Sequence, residues 1–301
     1  MEGEVDGIAG TETFSQRPGA LRSLWRIARS LTKRQGPDPR AALGPGARVE
    51  GVRLETRDLA PYAALCRFEE GTVPITFPHM LAFPLHIRVM TRAEFPYQIM
   101  GAVHLENSIR QHATLATGDA LDMEARPSRL LRHSHGQVVE IETTASRDGE
   151  PVWDSRSLYF FRGKRGDVGD PYVPSSLTDG PSELDERARW TLPESIGRSY
   201  ARVSGDWNPI HLSRATAKLF GQQNSIAHGM WMKARAVAAI TAPLRASHRV
   251  VSVTVAFRTP AFLPGAARFF AGVGHTDNIF ELRDAKTPRK LLRGRLRLCA
   301  P

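Results

Sequence analysis

Two cysteines, Cys66 and Cys299, are all that 301 residues contain. That is too few for a disulfide framework or a thiolate zinc site, and a reducing cytoplasm is the expected home. No apolar run approaches the roughly 20 residues that a membrane span requires, so no integral membrane segment is expected. A dense basic block is also missing, although 41 Lys and Arg against 31 Asp and Glu give a formal charge of +10. Arginine is spread along the chain without a zinc-finger or RNP-type motif, which argues against nucleic acid and leaves an acidic or phosphorylated partner as the match to the charge. The first 16 residues carry Glu2, Glu4, Asp6 and Glu12, acids that signal and transit peptides avoid. This stretch is expected to be disordered.

What is present is globular: 41% hydrophobic and 24% charged residues, in a chain long enough for two domains. Its chemistry is concentrated in residues 200–230, YARVSGDWNPIHLSRATAKLFGQQNSIAHGM. Ile196, Tyr200 and Val203 recur at helical spacing until Ser204-Gly205-Asp206 and Asn208-Pro209 break the helix. Asp206 therefore falls on a turn. Pro209 disfavours helical geometry at Asn208, so an extended step should precede a second helix near Ser213, with His211 just past the bend. Gly221 suits the left-handed end of that helix. A third, longer helix should begin at His228-Gly229-Met230 and run towards Pro243.

A carboxylate and an imidazole on one bent loop can hold a water molecule and move its protons. The Gly229 amide, as an unpaired donor at a helix start, suits an oxygen that becomes negative. Taken singly, Asp206 is also an ordinary Asx-turn residue and His211 an ordinary loop histidine.

The stretch resembles the signature of the MaoC-like dehydratases and R-specific enoyl-thioester hydratases. Tyr200, Ser204, Gly205, Asp206, Asn208, Pro209, Ile210 and His211 match Y-x-x-x-S-G-D-x-N-P-[LI]-H, and Ala227, His228, Gly229 and Met230 match its A-H-G-M segment. The resemblance implies that Asp206 and His211 are the catalytic dyad and the Gly229 N–H the thioester oxyanion donor. Ser204, Gly205, Asn208, Pro209, His228 and Met230 would support them or line the substrate. It implies a tandem (double) hot-dog fold of the α+β class, each unit a long helix wrapped by an antiparallel sheet. It implies also the interconversion of (R)-3-hydroxyacyl and trans-2-enoyl thioesters of coenzyme A or acyl carrier protein. No redox cofactor or metal is implied, and the pair of units would make a monomeric pseudo-dimer or a homodimer.

The expected organisation is a tail with a basic amphipathic helix at 1–46, whose apolar stripe includes Leu21, Leu24, Trp25, Ala28 and Leu31. An amino-terminal hot-dog unit, acyl-binding and without chemistry of its own, follows at 47–165, then a linker at 166–184 rich in Gly, Pro and Ser, and a catalytic unit at 185–301. In the first unit a helix is expected over 60–68, and Pro78 and Pro84 should bend or break any helix in the apolar stretch 76–90. Strands are expected at 103–109, 121–125, 137–147 and 152–161, the last two joined at Asp148-Gly149. The resemblance reaches this half through TFPHMLAFPLHIRVM and GAVHLENSIRQ, without the S-G-D-x-N-P-x-H motif. Its histidines, His79, His86, His104, His112, His133 and His135, have no carboxylate at the dyad spacing and are read as structural or surface residues. In the second unit strands are expected at 187–192, 250–259, 268–273, 279–283 and 291–299. Arg258, Lys233 and Arg235 are candidates for cations at the substrate entrance. A thioesterase on the same fold, or a non-catalytic acyl-binding or heterodimer subunit, are the rival readings.

Overall fold

A computed structural model describes residues 11–17, 19, 25–27, 29, 43–163, 168–175, 177, 184–247, 249–272, 274 and 276–299. The chain divides into two compact units. The first comprises residues 1–55, 78–107 and 115–173, and the second 56–77, 108–114 and 174–301. The segment 56–77 thus belongs to the unit that carries the signature.

In the first unit the strands follow the order β1 (Thr11–Phe14), β2 (Gly46–Arg53), β4 (Ala120–His133), β5 (Gly136–Arg147), β6 (Glu150–Arg162) and β3 (Val103–Gln111), of which residues 103–107 belong to this unit. The pairs β2–β4, β4–β5 and β5–β6 are antiparallel. Asp148 and Gly149 both have positive φ, as a two-residue hairpin turn requires. On this sheet lies α2 (Phe77–Met90), buried at every position but Phe83 and Arg88. Such a helix has no polar face, and that is the sign of a helix wrapped by structure. His86 ties it to the sheet, with Nδ1 3.0 Å from the Tyr159 hydroxyl and Nε2 2.7 Å from Thr143 Oγ1.

Several local expectations are corrected here. Neither proline breaks α2: Pro78 sits in the first turn, where its missing N–H has no partner to lose, and Pro84 lies inside the helix. Burial of the whole apolar segment outweighs the ~3 kcal/mol of an interior proline. Strand β4 continues past Pro127 because the register shifts between Pro127 and Arg129, the kind of bulge that accommodates a proline. The leading segment is not wholly disordered: β1 pairs in parallel with β2, and Glu12 binds Arg88 and Arg92. Most of the amphipathic helix lies outside the described residues; of its stripe only Trp25 is described, and it is exposed, whereas Ile27, off the stripe, is buried. Within 166–184, β7 (Asp170–Pro171) pairs with β4, and Tyr172 donates to Glu106.

The second unit has the strand order β9 (Arg249–Phe257), β12 (Lys290–Cys299), β11 (Asp277–Asp284), β10 (Gly265–Ala271) and β8 (Asp185–Leu192), all antiparallel. Helix α5 (Gly229–Thr241) packs on β9 and β11. Helix α1 (Thr56–Cys66) packs on α5 and on α3 (Ile196–Ser204). Leu65 O accepts from Trp231 Nε1, and Tyr62 lies 6.4 Å from Tyr200 between ring centroids. Each unit is therefore a long buried helix on an antiparallel sheet, the hot-dog arrangement. Among the described residues no helix is long and apolar enough to cross a membrane.

Candidate active site

Helix α3 buries Ile196, Tyr200, Ala201 and Ser204 and ends at Gly205, whose φ of 76° and N–H to Ala201 O make a left-handed cap. Three short polar side chains at alternate positions then carry the chain round the bend. Ser204 Oγ accepts from Asp206 N–H at 3.2 Å, Asp206 Oδ1 from Asn208 N–H at 3.2 Å, and Asn208 Oδ1 from Ile210 N–H at 3.3 Å. Each is the i-to-i+2 turn that Ser, Asp and Asn favour, so the spacing S-G-D-x-N is a folding instruction as well as a chemical one. Asn208 is extended, with φ −56° and ψ 125°, as the following proline demands. Pro209–His211 form one 3-10 turn, and Ser213 caps α4 (Arg214–Leu219) in a capping box with Thr216. Thr216 Oγ1 also donates to Pro209 O at 2.7 Å, tying α4 to the bend.

His211 is buried, and its Nδ1 lies 2.8 Å from Ile226 O. A carbonyl only accepts, so the proton sits on Nδ1 and the Nε2 lone pair is bare. Ile226 N–H in turn donates to Ile210 O, while Ala227 N–H donates to Ala261 O. The A-H-G-M segment is thus laced on one side to the bend and on the other to the chain after β9. His228 Nε2 is 3.0 Å from the Asp206 carbonyl oxygen, and its ring stacks on that of His211 with centroids 3.6 Å apart. Gly229, the next residue, opens α5, and no side chain caps the helix at His228. A β-carbon on Gly229 would meet the Phe257 ring at 2.9 Å, so this position is closed to side chains.

Among the described residues, Asp206, His211 and His228 form the one grouping whose ligand atoms, all within 4.8 Å of one another, could address a single ion. The two rings stack with their planes 25° apart, and each has one nitrogen held against a backbone carbonyl, Ile226 O for His211 and Asp206 O for His228. The set suits proton chemistry better. Burial raises the Asp206 carboxyl above its ordinary range, with the charge of His211 and the Asn208 N–H pulling it back. Burial lowers His211, partly offset by Asp206, and lowers His228 strongly. The two groups of the pair are therefore driven towards each other, which eases exchange of a proton between them.

The comparisons with known proteins bear on both halves. Residues 181–292 match the MaoC like domain, and residues 59–155 match the FAS1-like, dehydratase domain region. A relative named 3-hydroxyacyl-thioester dehydratase X, from Mycobacterium tuberculosis, is 32% identical over 227 residues, covering 75% of this chain and 79% of its own. The chain belongs to the MaoC-like dehydratase family. The crystal structure of that relative superposes with a TM-score of 0.71 at 28% identity, over 84% of this chain and 99% of the other. A MaoC-like dehydratase from Phytophthora capsici shares the fold, with a TM-score of 0.73 at 20% identity over 85% of this chain and 95% of its own.

In this MaoC-like chain, Ser204, Gly205, Asp206, Asn208, Pro209, His211, His228, Gly229 and Met230 all lie along the one laced loop and helix start. The sequence reading missed Gly197 and Arg198. Gly197 sits beneath the His211 carbonyl with no room for a side chain, and Arg198 Nη1 donates to Leu212 O at 2.8 Å. A glycine in the first turn of an amphipathic helix was the available signal. One of the entrance candidates is corrected. Lys233 is buried, its Nζ 3.1 Å from Val253 O and its amine pushed well below its usual range by burial. Arg235 lies 4.7 Å over the Trp190 ring. Both belong to a helix buried nearly all round, where the sequence offers no polar face to point them outwards. Arg258 is exposed.

Proposed function

We propose that the chain interconverts (R)-3-hydroxyacyl and trans-2-enoyl thioesters through Asp206, His211 and the Gly229 amide. The coarse activity, hydro-lyase chemistry on acyl thioesters in fatty-acid metabolism, agrees with the family and with the name of the mycobacterial relative. One observation carries the finer reading: a ring nitrogen of His211 and a carboxylate oxygen of Asp206 lie within 4.8 Å, in the loop laced to the Gly229 helix start. In the hydration direction a water donates one hydrogen bond to Asp206 and one to His211 Nε2. Its oxygen adds to the β-carbon, its proton passes to Nε2, and the π pair moves onto the thioester oxygen at the Gly229 N–H. The imidazolium, stabilised by Asp206, then returns that proton to the α-carbon. A backbone donor of this kind contributes about 3 to 4 kcal/mol in the transition state.

The amino-terminal unit is read as acyl-binding without its own chemistry. The opening of α2 supports this: Phe77 N–H is already donated to Pro74 O, and the next residue, Pro78, has no N–H. The substrate carrier is coenzyme A or an acidic acyl carrier protein, the site is cytoplasmic, and exposed Arg258 is the remaining cation for the carrier's phosphates. Along the sequence the domain limits proposed are 47–165 and 185–301, with 166–184 between them, and segments 56–77 and 108–114 count with the second compact unit. Hydration of crotonyl and longer trans-2-enoyl thioesters, followed in the ultraviolet with wild type and Asp206→Asn, tests the reading. Hydration at the normal rate in Asp206→Asn would remove the dyad from the mechanism, and carbonyl hydrolysis in place of hydration would replace the reading with the thioesterase alternative.

A further inference from the structure

His228 makes more contacts than a helix-start residue needs. Its Nε2 faces the Asp206 carbonyl, so Nε2 carries the proton and Nδ1 is bare. Its ring lies parallel to that of His211 within 25°, and the Tyr200 ring centroid is 4.9 Å away. Nδ1 is buried without a hydrogen-bond partner among the described residues. An orphaned buried acceptor destabilises a fold, and an apolar ring of the same shape would avoid that. Phenylalanine would fill this place in the core and keep the stack. It could not donate to Asp206.

The distance from His228 Nε2 to Asp206 Oδ2 is 3.8 Å, too long for a hydrogen bond. His228 therefore holds the backbone of Asp206, Asn208 N–H takes Oδ1, and Oδ2 is left for a reacting molecule. On its other side the ring sets the plane of His211, whose Nδ1 edge is held by Ile226 O. We propose that His228 is a positioning residue of the hydration reaction: its Nε2–H fixes the Asp206 turn and its face fixes the His211 ring, so that both meet one water beside the Gly229 amide. This rests on the roles given above to Asp206, His211 and Gly229. His228 itself moves no proton.

The test compares wild type, His228→Phe and His228→Gln in enoyl-thioester hydration, thermal unfolding and 15N titration of the His211 ring. In His228→Phe the melting temperature should hold or rise while kcat falls by about tenfold or more and KM stays within about threefold. His228→Gln, which can still donate to the Asp206 carbonyl, should recover part of kcat without the stack. The groups facing His211 are Asp206, His228 and the Ile226 carbonyl; freed from its tether, Asp206 supports the imidazolium less, so the His211 midpoint should drop in His228→Phe. Wild-type kcat in His228→Phe, an unmoved His211 midpoint, or a loss of kcat that only tracks a lower melting temperature overturns the proposal. A wild type that does not hydrate enoyl thioesters sinks the parent reading, and the His211 midpoint still decides whether His228 holds the pair.

Discussion

A β-carbon added to Gly197 would meet the carbonyl oxygen of His211 at 1.9 Å. In an ordinary helix Gly→Ala gains about 1 kcal/mol. Here Gly197→Ala must push the His211 turn away from α3, so helix propensity and site geometry oppose each other. The expected outcome is a fall in kcat of one to two orders of magnitude with a lower melting temperature, since a displacement of about 1 Å can cost ~100-fold. Steady-state hydration kinetics and thermal unfolding on the one variant check both; a Gly197→Ala protein that is stabilised and fully active would mean that the contact is soft.

Asp206→Asn and His211→Gln should each reduce turnover by about two orders of magnitude or more and leave the fold intact. Because the two groups share one water, the double variant should be little slower than either single. Losses that multiply would assign the residues to separate steps.

The acid limb of activity follows from opposed shifts. Asp206 titrates above its ordinary 3.8 and His211 below its ordinary 6.5, and both must be unprotonated to receive the water. Turnover should therefore be level above about pH 6.5 and fall as the pH drops below it. In Asp206→Asn the upward pull on His211 is gone, so the residual activity should lose its acid limb at lower pH than wild type. A limb that stays in place would show that neither group governs it.

Stability should respond to acid through a different histidine. Burial pushes His86 down to about 3, so the folded unit keeps it neutral where the unfolded chain, near 6.5, binds a proton. That contribution is complete above about pH 6.5 and is lost as the pH falls, by about 1.4 kcal/mol per unit for one such group. Urea midpoints from about pH 7 to about pH 4 should thus decline more steeply in wild type than in His86→Asn, whatever the variant's absolute stability. Equal slopes would remove His86 from the account.

Gly229→Ala keeps the amide and adds a methyl group against Phe257, 2.9 Å from the nearest ring carbon. The expected loss of kcat, about tenfold or more, should be partly restored by Phe257→Leu, which gives the methyl room while leaving the N–H in place. No restoration would mean that the loss lies in helix geometry and not in crowding.

The sequence made the bend legible because its residues act locally. Ser204, Asp206 and Asn208 each bind the amide two residues on, Gly205 takes a positive φ, and Pro209 extends its predecessor. Non-local determinants were hidden. Pro84 and Pro127 look like breakers until the burial of α2 and the bulge in β4 are seen, and Lys233 looks like a surface cation until its helix is found buried. The closeness of Gly197 to His211 is set by packing between segments 14 residues apart, which no local pattern records.

The assignment of α1 to the second unit bears on how halves of such chains can be exchanged. Tyr62, Leu65 and Cys66 lie more than a hundred residues before Tyr200 and Trp231, yet they furnish the surfaces on which those two pack. A chimera joined at residue 174 would receive the signature loop with a foreign partner under α3 and α5. Grafts that carry segments 56–77 and 108–114 together with 174–301 respect the unit as it is built.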